Sequence, residues 1–248
     1  ISGSQELGVN QDKIPLWKSM LGKMPEYMIN EDGIIKEWLT PKLENNDYHR
    51  HASQMYPLYY GMPDDIESSP ELQDAFKKSV VFKLEKHWRN DDSGFMAFGL
   101  VQLGQVASSL GEGELVYECL QHLANRFWFE NLASTHNHRS LFNMDISGGM
   151  PAVIIKMLVT SQPGEISLLP ALPRKFDKGS IEGVLCRGAV EVKSLSWEGN
   201  AVTVCMLSQK DQDIELILPS AVNEISVVEG DGKIAETGKE HSTKISMI

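Results

Sequence analysis

The sequence lacks any long apolar run and any cluster of basic residues. No stretch approaches the roughly 18 consecutive apolar residues of a membrane-spanning helix, so we expect no membrane span. The 248 residues include 34 acidic and 23 basic side chains, which gives a formal net charge of −11. Nucleic-acid-binding proteins normally carry a basic face, and anionic lipid surfaces repel acidic proteins, so we expect neither nucleic acid nor a membrane as a partner.

Cysteine and several catalytic motifs are scarce or missing. The three cysteines, Cys119, Cys186 and Cys205, show no CxxC spacing, which excludes zinc-ribbon and thioredoxin-type sites. A disulfide between Cys186 and Cys205 is open, although buried free thiols are the more common state. No GxSxG elbow, Gly-rich phosphate loop or HExxH helix occurs. The chain begins at Ile1 without a leader pattern, so we expect a processed chain or part of a longer protein.

The distribution of aromatic residues divides the chain. Of the 19 aromatic residues, 17 precede Pro163, and only Phe176 and Trp197 follow it. The pattern predicts two domains, a helical one over residues 1–163 and a β domain over residues 164–248.

Apolar residues at helical spacing predict four helices in the first domain: Glu71–Trp88, Gly94–Leu110, Glu112–Phe129 and Met150–Thr160. The polar stretch Asn131–Gly149 has no helical period and is expected to be a long loop, a type of segment that is often functional.

Alternating apolar residues predict four strands in the second domain: Ser180–Arg187, Ala189–Trp197, Ala201–Ser208 and Asp213–Pro219. Their spacing of roughly ten residues is typical of an all-β sandwich.

Three local clusters carry side chains suited to chemistry. The first runs from Asp47 to His51 and is followed by the aromatic residues of Tyr56–Tyr60, which are core residues or a platform for a sugar ring. The second is Thr135–Arg139, and the third is Phe142–Gly149.

Two chemical hypotheses fit these clusters. In one, Asp145 is a base or nucleophile while Arg50 and His51 hold substrate hydroxyls, as sugar hydrolysis by paired carboxylates requires. In the other, Asp145 joins four imidazoles around a metal ion, and these belong to His49, His51, His136 and His138. The alternatives without chemistry are hydrogen-bonded loop histidines, a carboxylate placed by a helix N-terminus, and a Glu37 that packs beside Trp38 instead of acting as a second carboxylate.

Several segments together match one family. They are Glu37-Trp38, the run HRHASQMYPLYYG over residues 49–61, Gly94–Ala97, Asn131-Leu132 before His136, Phe142–Asp145, and GEISLLPALP over residues 164–173. In these segments the chain resembles, from about residue 26 to 197, the C-terminal part of glycoside hydrolase family 95, the inverting α-L-fucosidases and α-L-galactosidases.

The resemblance implies part of an (α/α)6 toroid followed by a C-terminal all-β sandwich. It implies Asp145 as the base and sugar contacts from Arg50, His51, His49 and His136, without a metal or cofactor. The family's acid lies in an S-P-E-N-like stretch that has no counterpart before Glu37, so the general acid is expected outside this chain.

The substrate implied is a glycan with terminal α-L-fucosyl-type sugars, and a further partner would be the missing N-terminal part of the same protein. A secreted or periplasmic location is also implied. A non-catalytic carbohydrate-binding or scaffold fragment and a metal-dependent hydrolase are the alternative functions.

Overall fold

The computed structural model describes residues 1–46, 48–89, 96–221, 224–227, 229–236 and 241–247. Asp47, Gly94 and Phe95, which belong to predicted motifs, lie outside the described residues. The α-helices of the described part are α1 Ser2–Leu7, α2 Ile14–Leu21, α3 Asp64–Glu67, α4 Pro70–Leu84, α5 Ala97–Ser109, α6 Gly113–Arg126 and α7 Asp145–Leu158. Two 3-10 helices span Gln11–Lys13 and Ser53–Tyr59, and a π-helical turn spans Glu85–Arg89.

The strands of the described part are β1 Thr135–Asn137, β2 Ser140–Phe142, β3 Val159–Gln162, β4 Glu165–Leu168, β5 Lys178–Cys186, β6 Val190–Glu198, β7 Ala201–Ser208, β8 Gln212–Ile217, β9 Lys233–Glu236 and β10 Ser242–Met247. Strands β1 and β2 form a hairpin within the helical part. The C-terminal part has a five-stranded sheet in the order β3-β4-β8-β10-β9 and an antiparallel three-stranded sheet in the order β5-β6-β7. The order of helices followed by a β-rich region agrees with the prediction.

The four predicted strands are confirmed with small shifts at their ends, because alternation of buried and exposed side chains is a direct record of a half-buried strand. In β6, for example, Val190, Val192, Leu195 and Trp197 are buried. The step from Val192 to Leu195 crosses a register shift against β7, which explains the break in strict alternation. All three cysteines are free, so the alternative of a Cys186–Cys205 disulfide is wrong.

Two predictions about residues 131–160 are wrong. The polar stretch is not one long loop, because it contains the β1–β2 hairpin. The fourth helix begins at Asp145 instead of Met150, with Pro151 inside it, and it ends at Leu158. Thr160 lies in β3, which pairs with β4 across Pro163 and Gly164. Gly164 has a φ of 84°, a left-handed conformation that glycine adopts without strain. The division into two domains at this turn stays a prediction.

One hydrophobic core extends through both parts of the chain. It contains Leu100 and Val106 of α5, Val153 of α7, and inward-facing residues of both large sheets such as Val192 and Ile214. The Trp197 indole donates to the carbonyl of Phe176 at 2.8 Å, so its one polar atom is paired inside this core. The structure describes no helix that is long and apolar enough to cross a membrane.

Helices α5 and α7 approach each other closely because glycines lie at their contact. A Cβ atom built on Gly104 would lie 3.0 Å from Val153 Cγ1, and one built on Gly149 would lie 2.6 Å from Val101 Cγ2. The preceding residue, Gly148, has nothing within 4 Å of such an atom. Gly148 and Gly149 therefore form a matched pair on one helix, of which only the second is required by packing.

We expect Gly149→Ala to lower the free energy of unfolding by about 1–3 kcal/mol, the usual cost of overpacking a core. Val101 is β-branched and has little rotamer freedom with which to yield. Gly148→Ala should leave this value unchanged or raise it by up to about 1 kcal/mol, because alanine favours a helix more than glycine does. Urea unfolding of both variants measures the difference, and equal stabilities would contradict the role given to the α5–α7 contact.

Candidate active site

The segment His49–Ala52 is held at its backbone by three buried or half-buried polar side chains. The carbonyl of His49 accepts from Lys83 Nζ at 2.9 Å. The Ala52 N–H donates to Gln102 Oε1 at 2.9 Å, and the Ala52 carbonyl accepts from the Tyr59 hydroxyl at 2.6 Å. The position of His49, Arg50 and His51 is therefore set by α4, α5 and the 3-10 helix before any ligand arrives.

Gly99 allows α5 to come close behind the same segment. A Cβ atom at this position would lie 2.6 Å from the carbonyl oxygen of Arg50. Backbone atoms cannot move aside as the end of a flexible side chain can. Gly99 is therefore needed for the packing of the Arg50 backbone onto α5.

The hairpin β1–β2 connects His136 to the start of α7. The Ser134 hydroxyl lies 2.8 Å from the Ser147 hydroxyl, and the Asn143 N–H donates to the Ser134 carbonyl at 3.1 Å. The Asn143 side chain accepts from the Asp145 N–H at 2.5 Å. These bonds place the exposed carboxylate of Asp145 in the first turn of α7, where the helix dipole favours a negative charge.

Four of the predicted site residues act on the imidazole of His51. Its ring contacts that of His49, with 5.2 Å between centroids, and that of Phe98, with 6.1 Å. Burial is the largest cause that lowers the pKa of His51, the neighbouring His49, Arg50 and His136 lower it further, and the carboxylate of Asp145 raises it. His49, Arg50, His136 and Asp145 are therefore near enough to His51 to affect its pKa, and the individual roles of all five residues stay predictions.

The structure gives no support to the metal hypothesis. Across the described ranges, no group of three or more His, Cys, Asp or Glu side chains is arranged to hold a metal ion. His138 is exposed at the tip of the hairpin, next to Arg139, while His136 is half-buried. The two histidines of this pair therefore have different environments.

The aromatic residues after the HRH segment are not all core residues. Tyr56 is 58% exposed and Tyr60 is 66% exposed. The Tyr56 ring stands edge-on to the rings of Tyr59 and Tyr60, with centroid distances of 5.4 Å and 5.7 Å. The assignment of this cluster to the core is therefore wrong for Tyr56 and Tyr60.

A cavity of about 480 Å³ lies between the 3-10 helix, α5 and α7. Tyr59, Tyr60, Phe98, Gln105 and Ile155 are among its lining residues. Lys156 lies at its wall and donates to the carbonyls of Leu58 at 2.8 Å and Tyr59 at 2.9 Å. Burial lowers the pKa of Lys156 to about 7.

Sequence reasoning missed the residues that hold the site from behind. Gln102 interrupts an apolar run of α5 between Val101 and Leu103, and Lys83 and Lys156 interrupt the buried faces of α4 and α7. A long polar side chain on an apolar helical face is a signal for a buried hydrogen bond, because such a group is buried only when it is paired. The sequence does not show which backbone group such a side chain reaches.

Comparison with known proteins identifies the class. The chain matches the glycosyl hydrolase family 95 catalytic domain over residues 1–158 and the glycoside hydrolase family 95 C-terminal domain over residues 160–247. The chain belongs to glycoside hydrolase family 95. The resemblance predicted from the HRH and LLPALP segments is thereby confirmed.

A curated relative gives a more particular likeness. The chain is 28% identical over 221 residues to "Alpha-L-fucosidase 2" of Arabidopsis thaliana, a match that covers 85% of this chain and 25% of that protein. The chain thus spans about a quarter of the length of this relative.

The lowered pKa of Lys156 predicts a pH dependence of stability. Between its folded value of about 7 and the ordinary value of 10.5, the unfolded chain binds a proton that the folded chain does not bind. Raising the pH through this range therefore stabilises the folded state, by at most about 1.4 kcal/mol per pH unit. A neutral amine keeps two N–H donors, which suffice for the two carbonyls.

Urea unfolding from about pH 7.5 to about pH 10 measures this dependence. The difference in free energy of unfolding between the wild type and Lys156→Met should rise with pH, whereas Lys42→Met, at an exposed lysine, should run parallel to the wild type. Parallel curves for both variants would show that Lys156 carries its proton in the folded chain.

Proposed function

We propose that the intact protein is an inverting exo-glycosidase that hydrolyses terminal α-L-fucosyl-type sugars, and that this chain supplies the base side of its active site. The observation that carries the proposal is the ring contact of His51 with His49, at 5.2 Å between centroids, with Arg50, His136 and Asp145 close enough to shift the pKa of His51. Family membership and the name of the curated relative support the reaction and the sugar class.

The proposed chemistry requires two groups on opposite faces of the sugar ring. Asp145 accepts a proton from a water molecule, whose oxygen attacks the anomeric carbon as the bond to the leaving oxygen breaks. A glutamic acid outside this chain gives its proton to that leaving oxygen. Protons balance, because one is taken by Asp145 and one is supplied by the acid.

Arg50 and His51 have a binding role in this proposal. The exposed guanidinium of Arg50 offers several N–H donors to ring hydroxyls. A His51 with a lowered pKa is neutral near pH 7 and therefore has both a donor and an acceptor for a hydroxyl. Because the backbone of this segment is already fixed, little ordering is required when the sugar binds.

We further propose that the helical part is a section of an (α/α)6 toroid, that the two C-terminal sheets form a sandwich, and that the rest of the toroid is supplied by an N-terminal part of the same protein. The 3-10 helix, α5 and α7 present an open face around the 480 Å³ cavity. Phe98 is 36%, Ile155 41% and Tyr60 66% exposed there. Contiguous apolar surface of this kind normally marks an interface.

Asp145→Asn in the intact protein should lower kcat by about 10²- to 10⁴-fold, the usual loss when a positioned base is removed, with a much smaller effect on substrate binding. Asparagine keeps the shape of the side chain but accepts no proton at neutral pH. Steady-state kinetics on an aryl α-L-fucoside and an aryl α-L-galactoside measure both quantities and separate the two sugar classes.

The matched control is Asp64→Asn, because Asp64 is also an exposed aspartate in the first turn of a helix. It should leave kcat unchanged. Near-wild-type turnover by Asp145→Asn would remove Asp145 from the mechanism. If the intact wild-type protein turned over neither sugar, the non-catalytic carbohydrate-binding function would be favoured.

The 248-residue chain alone should show no glycosidase activity, because it lacks the acid and much of the substrate-orienting surface. Addition of the separately purified N-terminal part should restore turnover if that part binds the open face. Activity of the isolated chain would mean that a carboxylate within it protonates the leaving group.

A further inference from the structure

A second carboxylate, that of Glu37, lies directly behind the site residues. Its Oε1 is 3.1 Å from Nδ1 of His49, and its Oε2 accepts from the Asn46 N–H at 2.9 Å. The side chain is 13% exposed. Because both oxygens are already engaged, this carboxylate is poorly placed to give a proton to a leaving group.

The backbone of Glu37 is itself held firmly. An antiparallel bridge joins Ile29 and Ile35, and the Ile35 N–H donates to the buried hydroxyl of Ser79 on α4 at 2.9 Å. The Glu37 N–H donates to Oδ1 of Asn45 at 2.8 Å. The carboxylate is thus fixed with respect to α4, the same helix that holds the His49 carbonyl through Lys83.

His49 is consequently held at two ends, by Glu37 at its ring and by Lys83 at its carbonyl. A carboxylate only accepts hydrogen bonds, so a neutral His49 must carry its proton on Nδ1 to donate to Glu37. This leaves the lone pair on Nε2. The edge of the same ring packs on His51, at an interplanar angle of 62°.

We propose that Glu37 is a positioning residue, whose carboxylate fixes the orientation and the Nδ1–H tautomer of His49 and, through the His49–His51 ring contact, the orientation of the sugar-contacting His51. The part that concerns His51 rests on the proposed function. The part that concerns His49 rests on the hydrogen bonds alone and can be tested without substrate.

Glutamine at position 37 gives a sharp test of the tautomer. The Glu37 carboxylate has one acceptor oxygen for the Asn46 N–H and one for the His49 Nδ1–H. A glutamine amide has only one acceptor oxygen, and its other end is an NH2 donor. The Asn46 backbone N–H cannot reverse its polarity, but an imidazole can. Glu37→Gln should therefore turn the NH2 group toward His49 and convert it to the Nε2–H tautomer, in which Nδ1 accepts.

The measurement is ¹⁵N NMR of the histidine-labelled 248-residue chain, at a pH well above the ordinary imidazole pKa of about 6.5. The His49 signals are assigned from their loss in His49→Asn. The wild type and the control Glu44→Gln, at an exposed glutamate of the same loop, should show the Nδ1–H tautomer, and Glu37→Gln should show Nε2–H. An Nε2–H tautomer in the wild type would overturn the proposal even if the variant did not fold.

The second readout is the kinetics of the intact protein. Misplacement of a substrate-contacting group by about 1 Å can cost on the order of 10²-fold, so Glu37→Gln should lower kcat/KM by roughly 10- to 100-fold while Glu44→Gln has no effect. A changed tautomer with unchanged kcat/KM would overturn the link to His51. Failure of Asp145→Asn to lower kcat would instead overturn the proposed function and leave the tautomer result standing.

Discussion

The close approach of α5 to α7 is the constraint on which the site depends. Helix α5 carries Phe98 against His51, Gly99 against the Arg50 backbone and Gln102 on the Ala52 N–H. Helix α7 carries Asp145 in its first turn. The distance between the helices therefore sets the distance between Asp145 and the segment His49–Ala52. Glycines at the contact cost helix propensity, and the packing they allow offsets that cost.

Hydrogen bonds from buried polar side chains hold the backbone of the segment from His49 to Tyr59 in place. Gln102, Lys83 and Lys156 are each less than a tenth exposed, and each has a backbone carbonyl or N–H of the segment from His49 to Tyr59 as a partner. A group of this kind is stable inside a protein only while its partner stays in place. The side chains thus fix an irregular piece of backbone that helix and sheet hydrogen bonds do not reach, and the site is ordered before substrate arrives.

Regular structure with a strong period could be predicted from the sequence, and structure that depends on distant partners could not. The strand Ala201–Ser208 was predicted with its observed bounds, because alternation is local. The start of α7 was placed too late, because Gly148, Gly149 and Pro151 have low helix propensity and the compensating contact with Val101 comes from another helix. A domain boundary was predicted at Gly164, but the short strand before it was hidden by the apolar end of α7.

The same limit applies to the site. The residue types of the HRH segment and Asp145 predict a common pocket, and the structure shows the ring contact of His49 with His51 and an effect of Asp145 on the pKa of His51. Their supporting residues carried no local signal apart from a polar side chain on an apolar face. Sequence patterns indicate the secondary structure of each segment. The geometry of this site depends instead on hydrogen bonds between residues 34 to 98 positions apart.

The carboxylates of Glu37 and Asp145 differ in whether their oxygens are already engaged in hydrogen bonds within the protein. Glu37 is 13% exposed and accepts hydrogen bonds from His49 and from the Asn46 N–H, so both of its oxygens have partners within the protein. Asp145 is exposed in the first turn of α7, where a water molecule can reach it. Two groups of similar chemistry thus have different environments, and environment can give similar carboxylates different roles. Under the proposed function, a carboxylate that takes a proton from water needs an accessible oxygen, and Asp145 meets this condition better than Glu37 does.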